Sequence, residues 1–372
     1  MKAIPYGRQT VDEKDIAAVT RVLRSAYLTQ GPEVGAFEKA LAKYCGARYA
    51  VAVSSGTAAL HLAYLVAGLR AGDEAITTPN TFAATANALL MVGTKPVFAD
   101  IRNDSYNLDE SRMEKMITRK TRAIVPVHFA GQPCDMDRIW RLAARRRLVV
   151  VEDASHALGA KYRGKKIGGG RSDMVVMSFH PVKSITTGEG GAVLTDNERY
   201  YKKLLLLRSH GIRKDKKGFN IMTELGYNYR LTDIQAALGR SQLVKVDGFI
   251  KKRRRIATWY QTELKSLPEV ILPLELRGNF SSWHIYVIRV KHPKDRDRLA
   301  SHLKSTGIGV NFHYPAVYSH PFYRRHGYRS PKFANMDLYH RSCLTLPIFP
   351  TMTHAEVRYV ASQIKKFFNK PR

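Results

Sequence analysis

Short aliphatic runs alternate with helical patterns along most of the chain. Residues 48–53 (Arg-Tyr-Ala-Val-Ala-Val) predict a short buried strand, and an apolar helical run follows from Ala58 to about Leu69. Residues 147–152 form an aliphatic run of the kind that is buried in a parallel sheet. Strands that alternate with helices of about 10–15 residues indicate βαβ units, so we expect an α/β fold with a mainly parallel sheet. Further strands are predicted at 74–78, 95–99, 122–127, 174–178 and 191–195.

The pattern changes in the last third of the chain. From about Thr232 to Leu267 it is helical for a long stretch, which predicts a long helix that links two domains. We expect a large domain over residues 1–245 and a smaller C-terminal α/β domain over residues 246–372. In the smaller domain the pattern predicts a strand at 284–290 and helices near 295–306 and 353–368.

The chain is strongly basic. Of its 372 residues, 61 are Lys or Arg and 31 are Asp or Glu, which gives a formal net charge of +30. Such a field attracts polyanions, either nucleic acid or an anionic substrate. The basic residues are spread from Lys2 to Arg372 without a recognisable nucleic-acid module, so we expect no specific nucleic-acid partner. The aromatic and basic stretch from Tyr314 to Tyr328 is the best candidate for a nucleic-acid platform.

Composition also restricts the compartment and the cofactor. No apolar run approaches the roughly 20 residues that a membrane span needs, and the N-terminus lacks an apolar signal core. We therefore expect a cytoplasmic protein that does not bind a membrane. Cys45, Cys134 and Cys343 are few and far apart, so neither a disulfide framework nor a metal site is expected.

A glycine turn lies between the first predicted strand and its helix. Ser55-Gly56-Thr57 would present free backbone N–H groups at the positive end of a helix, which suits a phosphate. Many strand-to-helix turns look the same and bind nothing. By itself the turn therefore leaves both interpretations open.

A carboxylate follows the aliphatic strand at 147–152. Asp153 would emerge at the C-terminal end of that strand, the edge where open α/β sheets bind ligands. A carboxylate there could hold a proton on a heterocyclic nitrogen. The alternative is a helix N-cap without chemistry.

Two later segments carry further candidates. Lys183 follows a predicted strand, with Pro181 before it and a Gly-rich sequence after it. A lysine held in a pocket among cationic neighbours loses pKa and becomes nucleophilic toward carbonyl groups, although a single lysine means little in a chain this rich in lysine. Residues 226–233 are polar and aromatic, and they predict either a helix cap or a ligand contact.

The combination is more specific than its parts. A phosphate turn, then Asp153 at a strand end, then Lys183 30 residues later is the set that pyridoxal phosphate (PLP) requires. This cofactor needs an anchor for its phosphate, a carboxylate for its pyridinium nitrogen and a lysine for its aldehyde. The carboxylate keeps the ring protonated, which makes the ring an electron sink.

The sequence resembles the DegT-type sugar aminotransferases, which are fold-type I PLP enzymes, over essentially its whole length. Within this group, residues 126–134 and 178–191 look closest to the transaminase of pseudaminic acid synthesis. The resemblance implies a large PLP-binding domain and a smaller C-terminal domain. The group-level motifs lie at 4–6, 27–32, 55–60, 152–157, 188–191 and 226–230.

The resemblance also implies a role for each matching residue. Lys183 would bind the cofactor aldehyde and shuttle protons, and Asp153 would pair with the pyridine nitrogen. Phe82 would lie on the cofactor face, and His156 would lie beside Asp153. Because the family builds its active site at a dimer interface, Asn228 would reach the phosphate of the neighbouring subunit. The phosphate would be held by Gly56, Thr57 and Ser178, and substrate contacts would come from Tyr6, Thr29, His313 and Tyr314.

The implied reaction moves an amino group from L-glutamate to C4 of a UDP-linked 2-acetamido-4-keto-6-deoxyhexose. Another nucleotide-linked 3- or 4-keto sugar is the alternative acceptor. A sugar dehydratase of the same group would carry histidine in place of Lys183, so this lysine disfavours that activity. A nucleic-acid-binding or regulatory protein on an enzyme scaffold has the net charge of +30 as its only support.

Overall fold

A computed structural model describes residues 3–328 and 333–369 of the chain. Short strands of four or five residues, buried on both faces, form the large sheet, as the aliphatic runs predict. The strands are β1 Tyr49–Val53, β2 Glu74–Thr77, β3 Lys95–Phe98, β4 Thr121–Val125, β5 Val149–Asp153, β6 Lys161–Tyr162, β7 Lys165–Lys166, β8 Met174–Ser178, β9 Gly191–Thr195, β10 Ile212–Lys214, β11 Asn220–Met222, β12 Val270–Ile271, β13 Asn279–Phe280, β14 Tyr286–Val290 and β15 Cys343–Leu346.

Helices cover the strands, and several begin at the side chains that favour a helix N-terminus. Asp12, Ser55, Asn197 and Thr232 each accept a hydrogen bond from a backbone N–H in the first turn of the helix that follows. The helices are α1 Glu13–Leu23, α2 Pro32–Cys45, α3 Gly56–Val66, α4 Ala84–Met91, α5 Met136–Arg146, α6 Glu198–Arg208, α7 Asp233–Leu243, α8 Val246–Leu264, α9 Asp295–Ser305, α10 Pro321–Arg325, α11 Ala334–Ser342 and α12 His354–Asn369, with 3-10 turns at Glu114–Met116, Phe129–Gly131 and Val317–Ser319.

The large sheet has seven strands in the order β1-β9-β8-β5-β4-β2-β3. Strands β8, β5, β4, β2 and β3 pair in parallel, and β9 is antiparallel to both of its neighbours. This arrangement confirms the predicted α/β class with a mainly parallel sheet. It also brings the carboxyl ends of β5 and β8 to one edge, where ligands of such sheets bind.

A second, antiparallel sheet of three strands lies in the C-terminal part, in the order β12-β14-β15. Helices α8, α9 and α12 share its apolar core, which includes Tyr260, Ile288, Leu303 and Ile364. Ile4 belongs to this core as well, so the first described residues pack beside the C-terminal sheet. The domain division at residues 245 and 246 remains a prediction.

The long helix predicted over 232–267 is two helices, α7 and α8, with Val244 and Lys245 between them. The interruption coincides with a long-range contact, because the ammonium of Lys245 donates to the carboxylate of Asp15 at 2.7 Å. The fully buried Asp15 also accepts hydrogen bonds from Ser241 and Gln242 at the end of α7. The junction is therefore tied to α1, which a local pattern of apolar residues does not encode.

None of the helices in the described ranges is long and apolar enough to cross a membrane.

Candidate active site

One cavity of about 650 Å³ opens at the carboxyl edge of the large sheet. Asp153 and Ser178 are the last residues of β5 and β8, so both strands deliver a polar side chain to it. The other wall comes from the C-terminal part, including residues 311–315. Ten of the twelve predicted site residues line this cavity: Tyr6, Gly56, Thr57, Phe82, Asp153, His156, Ser178, Lys183, His313 and Tyr314.

The N-terminus of α3 forms an anion cradle at one end of the cavity. The side chain of Ser55 caps the helix by accepting from Ala58 N–H at 3.0 Å, and the first N–H groups, at Gly56 and Thr57, lie ahead of the helical hydrogen-bond ladder. A Cβ added at Gly56 would lie 2.9 Å from Cβ of Ser178. Glycine is therefore required where the helix meets Ser178, and the cradle suits a phosphate.

Asp153 is buried and held in one orientation. Its Oδ2 atom accepts from the hydroxyl of Thr85 at 2.7 Å, and its Oδ1 atom accepts from Ser155 N–H at 3.1 Å. Thr85 is held in turn by the hydroxyl of Thr81, at 2.7 Å. Because these bonds fix the carboxylate at the strand end, it can hold a proton on a ring nitrogen bound in the cavity.

Lys183 lies in the turn between β8 and β9, where its backbone N–H donates to His180 O at 2.9 Å. Burial lowers the pKa of the Lys183 ammonium to about 8, and the negative charge of Asp153 opposes that shift. At pH 7 about a tenth of Lys183 is therefore neutral, far more than for an exposed lysine. A neutral amine is the form that attacks a carbonyl or accepts a proton.

Three buried imidazoles surround the lysine. His156 and His284 lie with their ring centroids 4.4 Å apart, and His313 bonds to the hydroxyl of Thr345 at 2.8 Å. Burial, reinforced by the charge of Lys183, lowers the pKa of His313 to about 4 and lowers the pKa values of the other two well below their usual range. All three are neutral at physiological pH, so they add polarity to the cavity without charge.

Hydrogen bonding fixes the tautomer of His156. Its Nδ1 atom accepts from Ala130 N–H at 3.3 Å, so the neutral ring carries its proton on Nε2. That proton is directed to the phenol oxygen of Tyr314, 3.1 Å away. The phenol keeps its own proton, since burial raises the pKa of Tyr314, and can donate it to a ligand.

Two aromatic side chains border the opening. The ring of Phe82 is 63% exposed and lies 6.2 Å from the ring of Tyr314. The ring of Tyr6 lies 5.8 Å from the ring of His313. Both rings therefore stand beside the groups that a bound ligand would meet first.

Two predicted residues do not line the cavity of their own chain. Thr29 is exposed and pairs through its backbone with Thr232, just before α7, so its predicted substrate contact stays a prediction. Asn228 is also exposed, and its backbone pairs with Ser209. Its position agrees with a contact to a neighbouring subunit, which remains a prediction.

Sequence reasoning missed Thr85 and His284. Thr85 stands inside the apolar pattern of α4, where nothing local distinguishes it from a core threonine. His284 precedes β14 and joins the cavity only through the packing of the two sheets. The one available signal for His284 was its place as the first residue of the strand predicted at 284–290.

Most of the aromatic rings from Tyr314 to Tyr328 are not exposed, although the ring of Phe322 is. Tyr318 and Tyr323 are buried, with exposed fractions of 3% and 2%, and they pack with Phe98 in the core. A nucleic-acid platform needs rings that bases can reach. Tyr318 and Tyr323 therefore cannot stack on bases, while Tyr314 itself lines the cavity.

Comparisons with known proteins agree with this geometry. The chain is 40% identical over 373 residues to the UDP-4-amino-4,6-dideoxy-N-acetyl-beta-L-altrosamine transaminase of Campylobacter jejuni, covering 99% of this chain and 98% of that protein. The structure of Helicobacter pylori PseC, an aminotransferase involved in the biosynthesis of pseudoaminic acid, superposes with a TM-score of 0.93 at 36% identity, covering 99% of each chain. NtdA of Bacillus subtilis, solved with bound cofactor PMP, superposes with a TM-score of 0.88 at 30% identity, covering 96% of this chain and 82% of that chain.

The residues present fit the cofactor. The cavity combines an anion cradle that a side chain at Gly56 would fill, a buried carboxylate at Asp153 and a lysine of lowered pKa at Lys183. Residues 9–365 match the family described as DegT/DnrJ/EryC1/StrS aminotransferases. The chain belongs to the DegT/DnrJ/EryC1/StrS aminotransferase family, and it is an enzyme that uses pyridoxal phosphate.

Proposed function

We propose that the enzyme transfers an amino group from L-glutamate to C4 of a UDP-linked 2-acetamido-4-keto-6-deoxyhexose. The observation that carries the proposal is the 40% identity, over 99% of the chain, to a transaminase whose name specifies a 4-amino-4,6-dideoxy sugar on UDP. The structural likeness to PseC, which acts in the biosynthesis of pseudoaminic acid, supports the same class of substrate.

Lys183 moves the protons of the reaction. The bound cofactor supplies an electron sink and carries the amino group between the two substrates. The neutral Nζ atom of Lys183 would accept the proton from Cα of the amino donor. The same atom would deliver a proton to the sugar carbon that receives the amine. The lowered pKa of Lys183 suits both steps, since the amine gains and loses a proton near neutral pH.

Asp153 holds the proton on the ring nitrogen. The hydroxyl of Thr85 and the N–H of Ser155 each donate to one oxygen of its carboxylate, and these bonds fix its orientation at the strand end. Gly56, Thr57 and Ser178 bind the phosphate at the start of α3. Phe82 lies on the cofactor face.

The wall from the C-terminal part binds the substrates. Tyr314 donates its phenol proton toward a substrate oxygen, since His156 already donates to the phenol oxygen. Neutral His313 and the phenol of Tyr6 offer further polar contacts at the opening. These groups discriminate among sugars by pairing with hydroxyl, amide and keto oxygens, which a hydrophobic wall cannot do.

The enzyme acts as a homodimer in the cytoplasm. Asn228 projects from the surface of its own chain, as a residue that completes the partner's phosphate site must. The three cysteines are free and buried, which is typical of proteins from a reducing compartment. An active monomer at assay concentration would contradict the dimer.

A panel of acceptors tests the proposed substrate. The holoenzyme is assayed with L-glutamate and UDP- or TDP-linked sugars that carry the keto group at C3 or C4. We expect the UDP-linked 2-acetamido-4-keto-6-deoxyhexose to give the highest kcat/KM, with no product from the Lys183→Ala variant. A higher kcat/KM for a 3-keto or TDP-linked sugar would replace this acceptor with that one.

A further inference from the structure

Residues 227–229 form a short extended segment that is hydrogen-bonded at both ends. At one end the N–H of Tyr227 donates to Leu207 O at 2.7 Å, near the end of α6. At the other end the carbonyl of Tyr229 accepts from Ser54 N–H at 2.8 Å, two residues before α3. The backbone of this segment is therefore fixed between two elements of the large sheet layer, and its side chains alternate between two faces.

The inner face of this segment carries two tyrosines that pack on one histidine. The rings of Tyr227 and Tyr229 are stacked with centroids 5.0 Å apart. Buried His61 meets the ring of Tyr227 edge-on at 4.9 Å, and its Nδ1 atom lies 3.1 Å from the hydroxyl of Tyr229. Asn228 lies on the outer face and is exposed.

The histidine lies on the helix that forms the phosphate cradle. His61 is in the second turn of α3, and Gly56 and Thr57 begin the same helix. Burial lowers the pKa of His61, so the ring is neutral and bonds to Tyr229 without adding charge. One helix therefore holds the cradle of its own site at its N-terminus and the segment that carries Asn228 along its side.

We propose that His61 and Tyr229 are positioning residues for the cofactor phosphate of the partner subunit, because together they hold the segment that presents Asn228. The inference rests on the proposed dimer, in which Asn228 completes the partner's site. It adds that the contact is preformed in each chain. It also adds that α3 links the two phosphate sites, one through Gly56 and Thr57 and the other through His61.

A double-mutant cycle on PLP affinity tests the first half of the proposal. Equilibrium dialysis of the dimer measures the Kd of PLP for Asn228→Ala, Tyr229→Phe and the combination. Loss of one hydrogen bond to the charged phosphate should weaken binding about tenfold or more for Asn228→Ala, and loss of the tyrosine hydroxyl by a few-fold. Because Tyr229 acts through Asn228, adding Tyr229→Phe to Asn228→Ala should change the Kd no further.

Tyr201→Phe is the matched control for the cycle. Tyr201 is half-buried against the same core and stacks on Tyr49, away from the segment, so its variant should bind PLP as the wild type does. Tyr229→Phe overturns the proposal if it leaves the Kd unchanged. It does so too if it weakens binding by the same factor with and without Asn228, since the hydroxyl would then act independently of that amide.

Mixed dimers test whether the effect crosses the interface. In the first mixed dimer, one protomer carries Tyr229→Phe and keeps Lys183, and its partner carries only Lys183→Ala. In the second mixed dimer, one protomer is wild type, and its partner carries both Lys183→Ala and Tyr229→Phe. Only a protomer with Lys183 gives the absorption of covalently bound PLP, so titration with PLP reports that protomer's site alone.

We expect wild-type affinity in the first mixed dimer and weakened affinity in the second. The opposite pattern, with the defect in the protomer that carries Tyr229→Phe, would overturn the proposal. Both dimers retain one site with Lys183, and the readout is binding of PLP. Failure here is therefore distinguishable from failure of the proposed substrate, which turnover alone tests.

Discussion

The two ends of the cavity, which we propose bind the cofactor and the substrates, are built differently. At the cofactor end, Asp153 and Ser178 terminate strands, and Gly56 begins a helix. At the substrate end, His284 and Tyr314 come from the C-terminal part and reach the cavity through the packing of two sheets. The first end depends on strand–turn–helix geometry, and the second depends on tertiary contacts.

This difference predicts that substitutions at the two ends of the cavity should change different kinetic quantities. Groups at the cofactor end act on every amino donor and acceptor, so their loss should lower kcat for all substrates. Groups at the substrate end are proposed to contact the substrates, so their loss should raise KM for some of them and leave cofactor binding intact.

Lys183→Ala should have the largest effect. With no amine to move the proton, kcat should fall by at least about a thousandfold, and PLP should bind only non-covalently. Lys165→Ala, which removes an exposed lysine from β7, is the control and should retain wild-type activity. Borohydride reduction followed by peptide mapping measures the attachment, and a pyridoxyl group on another lysine would refute the assignment.

Asp153→Asn should lower kcat by about a hundredfold or more, because an amide cannot hold the pyridinium proton by charge. Thr85→Val keeps the shape and removes the hydroxyl bonded to Oδ2 of Asp153, so it should give a smaller loss for every acceptor. Steady-state kinetics on two acceptors measures both. Near-normal transamination by Asp153→Asn would mean that another group pairs with the nitrogen.

The covalent attachment of PLP to the apoenzyme should depend on pH. The pKa of Lys183 is lowered to about 8 by burial, and only the neutral amine attacks the aldehyde. The attachment rate should therefore rise about tenfold per pH unit below about pH 8 and level off above it. Stopped-flow absorbance measures this rate, and a flat profile between about pH 6 and 8 would contradict the shifted pKa.

Tyr314→Phe should have the smallest effect, and it should separate substrate binding from cofactor binding. Loss of one neutral hydrogen-bond donor is expected to raise KM for the sugar several-fold while the affinity for PLP stays unchanged. Kinetics with the UDP-linked acceptor and dialysis with PLP separate the two quantities. An equal loss in both would show that the phenol serves the cofactor end.

The local sequence predicted the strands of the large sheet well and the rest of the fold less well. The strands predicted at 174–178 and 191–195 have the predicted bounds, because an aliphatic run buried on both faces has few alternatives. Strands of two or three residues such as β6 and β10 were missed, since so short a segment shows no period. The break between α7 and α8 was missed because it coincides with the contact of Lys245 with distant Asp15.

The site shows the same division. Gly56, Asp153 and Lys183 stand next to predicted strands, so their convergence followed from the topology of a parallel sheet. His284 could not be found in this way, because it joins the cavity only where two sheets meet. The substrate contact of Thr29 was expected from resemblance alone, and it stays a prediction because Thr29 lies outside the cavity of its own chain.

Transfer of a labelled amine tests whether the enzyme moves nitrogen from L-glutamate to C4 of the sugar. The holoenzyme is incubated with ¹⁵N-labelled L-glutamate and the UDP-linked 2-acetamido-4-keto-6-deoxyhexose, and the product is examined by NMR. We expect ¹⁵N bonded to C4 of the sugar, 2-oxoglutarate in equal amount, and neither product with Lys183→Ala. Turnover of the sugar without incorporation of ¹⁵N, or incorporation that survives the loss of Lys183, would contradict it.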